Sequence, residues 1–220
     1  MSDFLKWILR LMVAVCVFGA CTGAASPLEP GALLAKINAA PPYVVSAAYP
    51  TWRAAIYPPE AIPLNHLSWI GHSFVLPGRN GELVIPPGFL HSGLIEGVHA
   101  ADRKISVGVG GEGSQRAFSL MASDPASRSA FVENLVNFVV DEGYDGVTID
   151  WEFPRTSADR ENLTAFMTEL RTSLDATDRD LRLNIAVPSS DSLAQWFDAA
   201  AITPLVDYYV VMTFAFHGAW

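Results

Sequence analysis

The sequence of 220 residues has only two cysteines, Cys16 and Cys21, and both fall within its first 25 positions. Beyond Ala25 there is no thiol, so the rest of the chain must be held by its core, without disulfides or cysteine-bound metal. The five histidines are scattered without ligand spacing, and the expectation is no metal and no cofactor. No G-x-G-x-x-G follows the first strand-like run, which argues against a dinucleotide-binding fold. Basic residues are few, 14 against 23 acidic ones, for a formal net charge of −9. Such a balance disfavours nucleic acid and anionic membranes and suits a neutral or cationic substrate. There is neither an internal repeat nor a low-complexity tract.

Half of the residues are hydrophobic, enough for one sizeable core. The N-terminus reads apart from the rest. Lys6 and Arg10 precede "LMVAVCVFGACTGAA", a charge-free run of 15 residues ending in small residues. This pattern predicts an export signal over 1–25, cleaved near Ala24 or Ala25. The run is short for a membrane span, which takes about 18 or more apolar residues, though an uncleaved anchor is an alternative. Cys21 after Gly19 and Ala20 offers a lipoprotein signal, which Phe18 fits poorly. The expected location is therefore secreted, with a lipid-anchored or periplasmic form as the alternative and no integral membrane protein after processing. Removing Asp3, Lys6 and Arg10, a net +1, takes −9 to −10. The Pro- and Ala-rich stretch 26–42 reads as a lead-in linker with a short helix, and 43–220 as the folded domain. The oligomeric state is not fixed by the sequence.

Six strand-like runs follow: "YVVSAAYPTW", "HLSWIGHSFV", "KISVGVGG", "GVTIDWEF", "LRLNIAVPSS" and "DYYVVMTFAF". Two helical patterns lie among them. One runs from Asp124 to Gly143 with Phe131, Leu135, Phe138 and Val139 at helical spacing, the other over 157–176 with Leu163, Phe166, Leu170 and Leu174. Strands alternating with helices of this length predict an α/β fold with a parallel sheet. Acids at the C-terminal end of the fourth strand favour a (β/α)8 TIM barrel over an open doubly wound sheet. A closed barrel takes about 250 residues. The expectation is thus a barrel truncated after about the sixth strand, whose first and last strands present open edges.

The stretch "YDGVTIDWEFP", Tyr144 to Pro154, alternates cleanly, with Thr148, Asp150 and Glu152 on one side and Val147, Ile149, Trp151 and Phe153 on the other. Either the polar set lines the wet mouth of a sheet, or it faces a barrel interior as a catalytic pair. The two acids are about 7 Å apart along the strand. The charge of Asp150 is expected to raise the pKa of Glu152, and a protonated Glu can protonate a leaving oxygen.

"YDGVTIDWEFP" resembles the signature strand of glycoside hydrolase family 18, the chitinases and their relatives, which reads D-G-x-D-x-D-x-E. Asp145, Gly146, Asp150 and Glu152 match, and Thr148 replaces an Asp. "KISVGVGG" is similar to the family's third strand, ending S-x-G-G, with Gly108 in place of the Ser before Val109, Gly110 and Gly111. "VVMTFAFHGAW" is similar to its sixth strand, M-x-Y-D followed by HG-x-W. Met212, His217, Gly218 and Trp220 match, while Phe214 and Ala215 replace the Tyr and the Asp.

The resemblance implies a retaining, substrate-assisted glycosidase acting on chitin or N-acetylglucosamine-containing oligosaccharides, an exception to the two-carboxylate scheme. Glu152 would be the general acid/base. Asp150 would hold the sugar's acetamido N–H and stabilise the oxazolinium ion formed by its carbonyl oxygen. Substrate-binding candidates are Tyr49, Phe74, Gly111, Thr148, Trp151, Met212, Phe214 and Trp220. Trp52 and Trp69 join them as aromatic residues near strand ends, where sugar rings stack, with core packing as the other reading for all but Trp52 and Trp220. Trp151, on the outward side with Val147 and Ile149, is also expected to pack against helices. His217 reads as a structural histidine.

The departures open alternatives. Thr148 can hydrogen-bond to Asp150 but cannot take up its proton, which predicts altered pH dependence and a slower rate; it also suits a strand simply as a β-branched residue. Phe214 lacks the hydroxyl that would hold the acetamido carbonyl, and Ala215 lacks the carboxylate. A sugar-binding protein with little catalysis, or an endo-β-N-acetylglucosaminidase acting on other glycans, are the competing expectations.

Overall fold

The computed structural model describes residues 44–91 and 93–214. The predicted export signal and linker, together with Ala215, His217, Gly218 and Trp220, lie outside the described residues. The chain divides at Tyr43, where the unit running to Trp220 begins.

The sheet is built from β1 (Ser46–Pro50), β2 (Trp69–Pro77), β4 (Lys104–Gly111), β5 (Gly146–Trp151), β6 (Arg182–Pro188) and β7 (Tyr208–Met212). They pair in that order, and every pairing is parallel. A two-residue strand, β3 (Leu83–Val84), turns back antiparallel on the end of β2. The helices are α1 (Leu94–Ala100), α2 (Gln115–Ser123), α3 (Pro125–Glu142), α4 (Ser157–Asp175) and two single turns, α5 (Asp191–Ala194) and α6 (Ala199–Ile202). The architecture is a parallel half-barrel with crossover helices, consistent with a truncated TIM barrel.

All six predicted strands form: the third, Lys104–Gly111, over its whole run, and the other five shorter than theirs, with Pro, Gly and polar residues flanking them. The two predicted helices form where their caps stand. Asp124 accepts the Ser127 N–H at 2.9 Å to open α3, Pro125 occupies its first turn, and Gly143 closes it at φ 86°. Thr156 opens α4 by accepting the Asp159 N–H at 3.0 Å. Not foreseen were α1 and α2. Each is short, and neither has a side chain capping its N-terminus.

The core lies between the sheet and the helices. Val147, Ile149 and Trp151 of β5 point into it, and all three are fully buried. Trp151 stacks on Phe118 of α2 at 5.1 Å, and Phe118 meets Phe166 of α4. Trimming such a buried aromatic to Ala typically costs about 3–5 kcal/mol. The opposite side chains of β5, Thr148 and Asp150, face the concave side of the half-barrel and are only partly buried.

The N-terminal end of β5 is fixed by Asp145. Its carboxylate accepts from Lys104 Nζ (2.8 Å), His99 Nε2 (2.8 Å) and the Ile105 N–H (3.0 Å). Burial alone would raise its pKa, but these donors outweigh that and hold it below the ordinary value. The bonds lock β4 against β5 in the register that carries Asp150 to the far end of the sheet.

Candidate active site

Asp150 is the penultimate residue of β5, and Glu152 follows one residue past the strand. Both stand at the C-terminal end of the sheet, the end at which barrel enzymes keep their chemistry. The loop bearing Glu152 is tied down a few residues later. The Asp159 carboxylate accepts from the Arg155 N–H (3.1 Å), Thr156 Oγ1 (2.9 Å) and, from α2, Ser119 Oγ (2.7 Å).

Both acids are shifted toward the protonated form. Burial, reinforced by the charge of Glu152, pushes Asp150 up to about 7. Its Oδ1 is buried without a hydrogen-bond partner. Glu152 is also raised, first by burial and then by the charge of Glu112. The two acids couple, and Glu112 adds a further charge that acts on Glu152.

On the β4 side of Asp150 the chain withdraws. Gly110, at φ 113°, runs beside Asp150, and a Cβ there would fall 2.2 Å from the Asp150 carbonyl oxygen. Gly111, at φ 85°, makes room for Phe74, whose ring a Cβ would meet at 2.8 Å. Phe74 is half-buried on the concave side, and Trp52, 64% exposed in the turn after β1, stacks on it at 6.2 Å and 24°. Two aromatic faces thus flank the acid end of the sheet.

The structure brings together Asp150, Glu152, Thr148 and Phe74, with Trp52 beside them, and it places the other candidates elsewhere. Trp151 lies in the helix-side core. Tyr49 is 4% exposed, on the same side as His72, with its hydroxyl donating to the Tyr57 carbonyl. Gly111 lies beneath the Phe74 ring and is not itself a lining surface. Trp69 is buried at the opposite end of the sheet under the Arg182 guanidinium, 4.8 Å from its ring centre. Met212 ends β7 half-buried, and Phe214 is 91% exposed. The strand parity that turned Trp151 outward turns Tyr49 outward as well, and this was the available signal.

A buried histidine was missed. His72 is bonded on one ring nitrogen to Thr51 Oγ1 (2.6 Å) and on the other to the Tyr144 hydroxyl (2.7 Å), and it stacks on Phe89 at 4.1 Å. Burial, helped by nearby His91, lowers its pKa to about 4, so it is neutral near pH 7. Through Thr51 it anchors the turn that carries Trp52. Nothing in a lone histidine on a strand announces this.

Sequence comparison decides the family: the model for "Glycosyl hydrolases family 18" matches residues 50–220. The chain belongs to this family. Among curated relatives, "Probable chitinase 10" of Drosophila melanogaster is 30% identical over 126 residues, 53% of this chain and 6% of that protein. Among solved structures, the Ostrinia furnacalis Group IV chitinase in complex with allosamidin superposes with a TM-score of 0.72 at 24% identity, over 80% of this chain and 52% of that one. A chitinase-like agglutinin from Robinia pseudoacacia gives 0.71 at 21%, over 79% and 56%. The chain thus spans about half the length of the solved relatives and a small part of the curated one. Asp150 and Glu152 are the two acids that this glycosyl hydrolase family 18 chain presents at the C-terminal end of β5.

Proposed function

We propose that the chain is the acid-bearing part of an exported, chitinase-like glycosidase that hydrolyses β-1,4-N-acetylglucosamine linkages with retention, through the substrate's own acetamido group. The observation that carries this reading is the pair Asp150 and Glu152 at the C-terminal end of β5, both raised toward protonation, in a chain whose relatives are chitinases.

Glu152, shifted toward the protonated form by burial and by Glu112, donates its proton to the glycosidic oxygen. The acetamido carbonyl oxygen attacks the anomeric carbon as that bond breaks. Asp150 accepts the acetamido N–H and stabilises the positive charge of the oxazolinium ion. The Glu152 carboxylate then takes a proton from water as the water opens the ring, which restores the acid and leaves the anomeric configuration unchanged. Phe74 and Trp52 offer apolar faces for sugar rings. The N-terminal signal and export belong to this proposal, and no helix among the described residues is long and apolar enough to cross a membrane.

A second reading, sugar binding with little turnover, is favoured by Phe214, which has no hydroxyl to hold the acetamido carbonyl and projects into solvent. The deciding experiment follows the first product formed from a chito-oligosaccharide by NMR. The proposal expects the β-anomer, and no cleavage of the de-N-acetylated oligosaccharide. An α-anomer, or equal cleavage of both substrates, overturns the mechanism, and tight binding without turnover over days selects the second reading.

A further inference from the structure

The concave face behind the acid pair is polar where a barrel interior is usually filled by branched apolar side chains. Ser106 of β4, Thr148 of β5 and Asn184 of β6 stand side by side on three adjacent strands. Ser106 and Asn184 are 1% and 6% exposed. Asn184 is the direct register partner of Thr148, and its Nδ2 donates to Thr148 Oγ1 at 3.5 Å. Ser106 Oγ is 3.2 Å from the same oxygen, and either hydroxyl can be the donor of that bond.

Proton counting favours one direction. A hydroxyl has one proton to give and two lone pairs to receive. Asn184 fills one lone pair of Thr148. The buried Ser106 hydroxyl satisfies its own proton by donating to the other. The Thr148 proton is then available to a third group. Two residues along the same face is Asp150, whose Oδ1 is a buried acceptor without a partner; Asn184 Oδ1 is another, but the Asn184 amide already meets Thr148 through its Nδ2.

We infer that Ser106 and Asn184 are positioning residues for Asp150: by occupying both lone pairs of the Thr148 hydroxyl, they direct its proton at the Asp150 carboxylate. The inference rests on Asp150 being the partner of Glu152. Where the family pattern has an Asp beside this residue, the present chain has a hydroxyl that can only give a proton. Asp150 is therefore stabilised as an anion by a neutral donor when its side chain turns back along the strand. On β4, Gly108 and Gly110 place no side chain in that path. The other ionisable groups facing this side are few among the described residues. Glu152 follows on the same strand, and Glu112 lies just past β4. Arg182 of β6 and Tyr208 of β7 are held together at the far end, where the guanidinium lies between the rings of Tyr208 and Trp69. From β2 the face receives Phe74 and Trp69, and Lys104, which begins β4 beside Trp69, is taken up by Asp145.

The test is the titration of the Asp150 carboxyl in the full chain carrying ¹³C-labelled aspartate, its signal assigned by loss in Asp150→Asn. Thr148→Val is expected to move the midpoint up by about one pH unit, the scale of one hydrogen bond to a charged group. Ser106→Ala and Asn184→Ala are expected to move it up by smaller amounts, and Thr148→Ser to leave it in place. Ser106→Ala removes a single atom and keeps the strand intact, so the result holds even if a bulkier change unfolds the chain. A midpoint unmoved by both Thr148→Val and Ser106→Ala overturns the inference. The titration needs no sugar: if the chain fails to cleave chito-oligosaccharides, the proposed function falls while this result stands.

Discussion

Two aspartates five residues apart on one strand are treated in opposite ways. Asp145, where β5 begins, accepts three hydrogen bonds and is held as an anion, whereas Asp150, near its end, keeps one buried oxygen unpartnered and is pushed up to about 7. The first charge stabilises the fold. The second is held at a cost, as expected of a group meant to meet a substrate. Under the proposed function the strand is thus anchored at one end and reactive at the other, as barrel folds divide stability from chemistry.

The sharpest way to break this comparison is to remove each charge in turn. Asp145→Ala leaves Lys104, His99 and the Ile105 N–H without their common acceptor and is expected to cost about 3–5 kcal/mol in urea unfolding at pH 7. Asp150→Asn should act in the other sense. With its folded pKa raised, Asp150 contributes stability below about pH 4 that is lost as the pH rises toward 7. The Asn variant is therefore expected to be more stable than the parent above pH 7, by up to about 4 kcal/mol.

His72 sharpens the contrast through pH. Its folded pKa of about 4 lies below the unfolded value of about 6.5, so its contribution is complete above pH 6.5 and falls away toward pH 4, by about 3 kcal/mol. In the parent chain, the contributions of His72 and Asp150 run in opposite directions over this window and largely cancel. In Asp150→Asn the slope of His72 alone should emerge, as a stability that climbs from pH 4 to 6.5 in unfolding curves taken across that range. The smallest effect is expected at β7, where Val210 is exposed: Val210→Thr should change unfolding free energy by no more than about 0.5 kcal/mol.

Much of this was legible in the residues. The period-2 pattern of "GVTIDWEF" gave both faces of β5, and Asp124, Pro125 and Gly143 marked the ends of α3, because caps and alternation are local signals. Less legible was whatever depends on partners distant in sequence. Tyr49 and Trp69 are aromatic residues near strand ends, yet they pack on opposite sides of the sheet, one with His72 and the other under Arg182. The charge that adds to burial in raising Glu152, that of Glu112, lies 40 residues away on another strand end. Ser106 and Asn184 were polar residues within apolar runs, a visible signal whose meaning appeared only once three strands stood side by side. Helices α1 and α2 escaped because a turn or two without a capping side chain has little pattern to show.

The most direct measurement is the rate of sugar release from a chito-oligosaccharide by the chain and by Glu152→Gln, both shown to be folded and to bind the oligosaccharide equally. The account predicts a fall of about 10²–10⁴-fold in the variant, the scale of general acid catalysis. Equal release by the two proteins would contradict it.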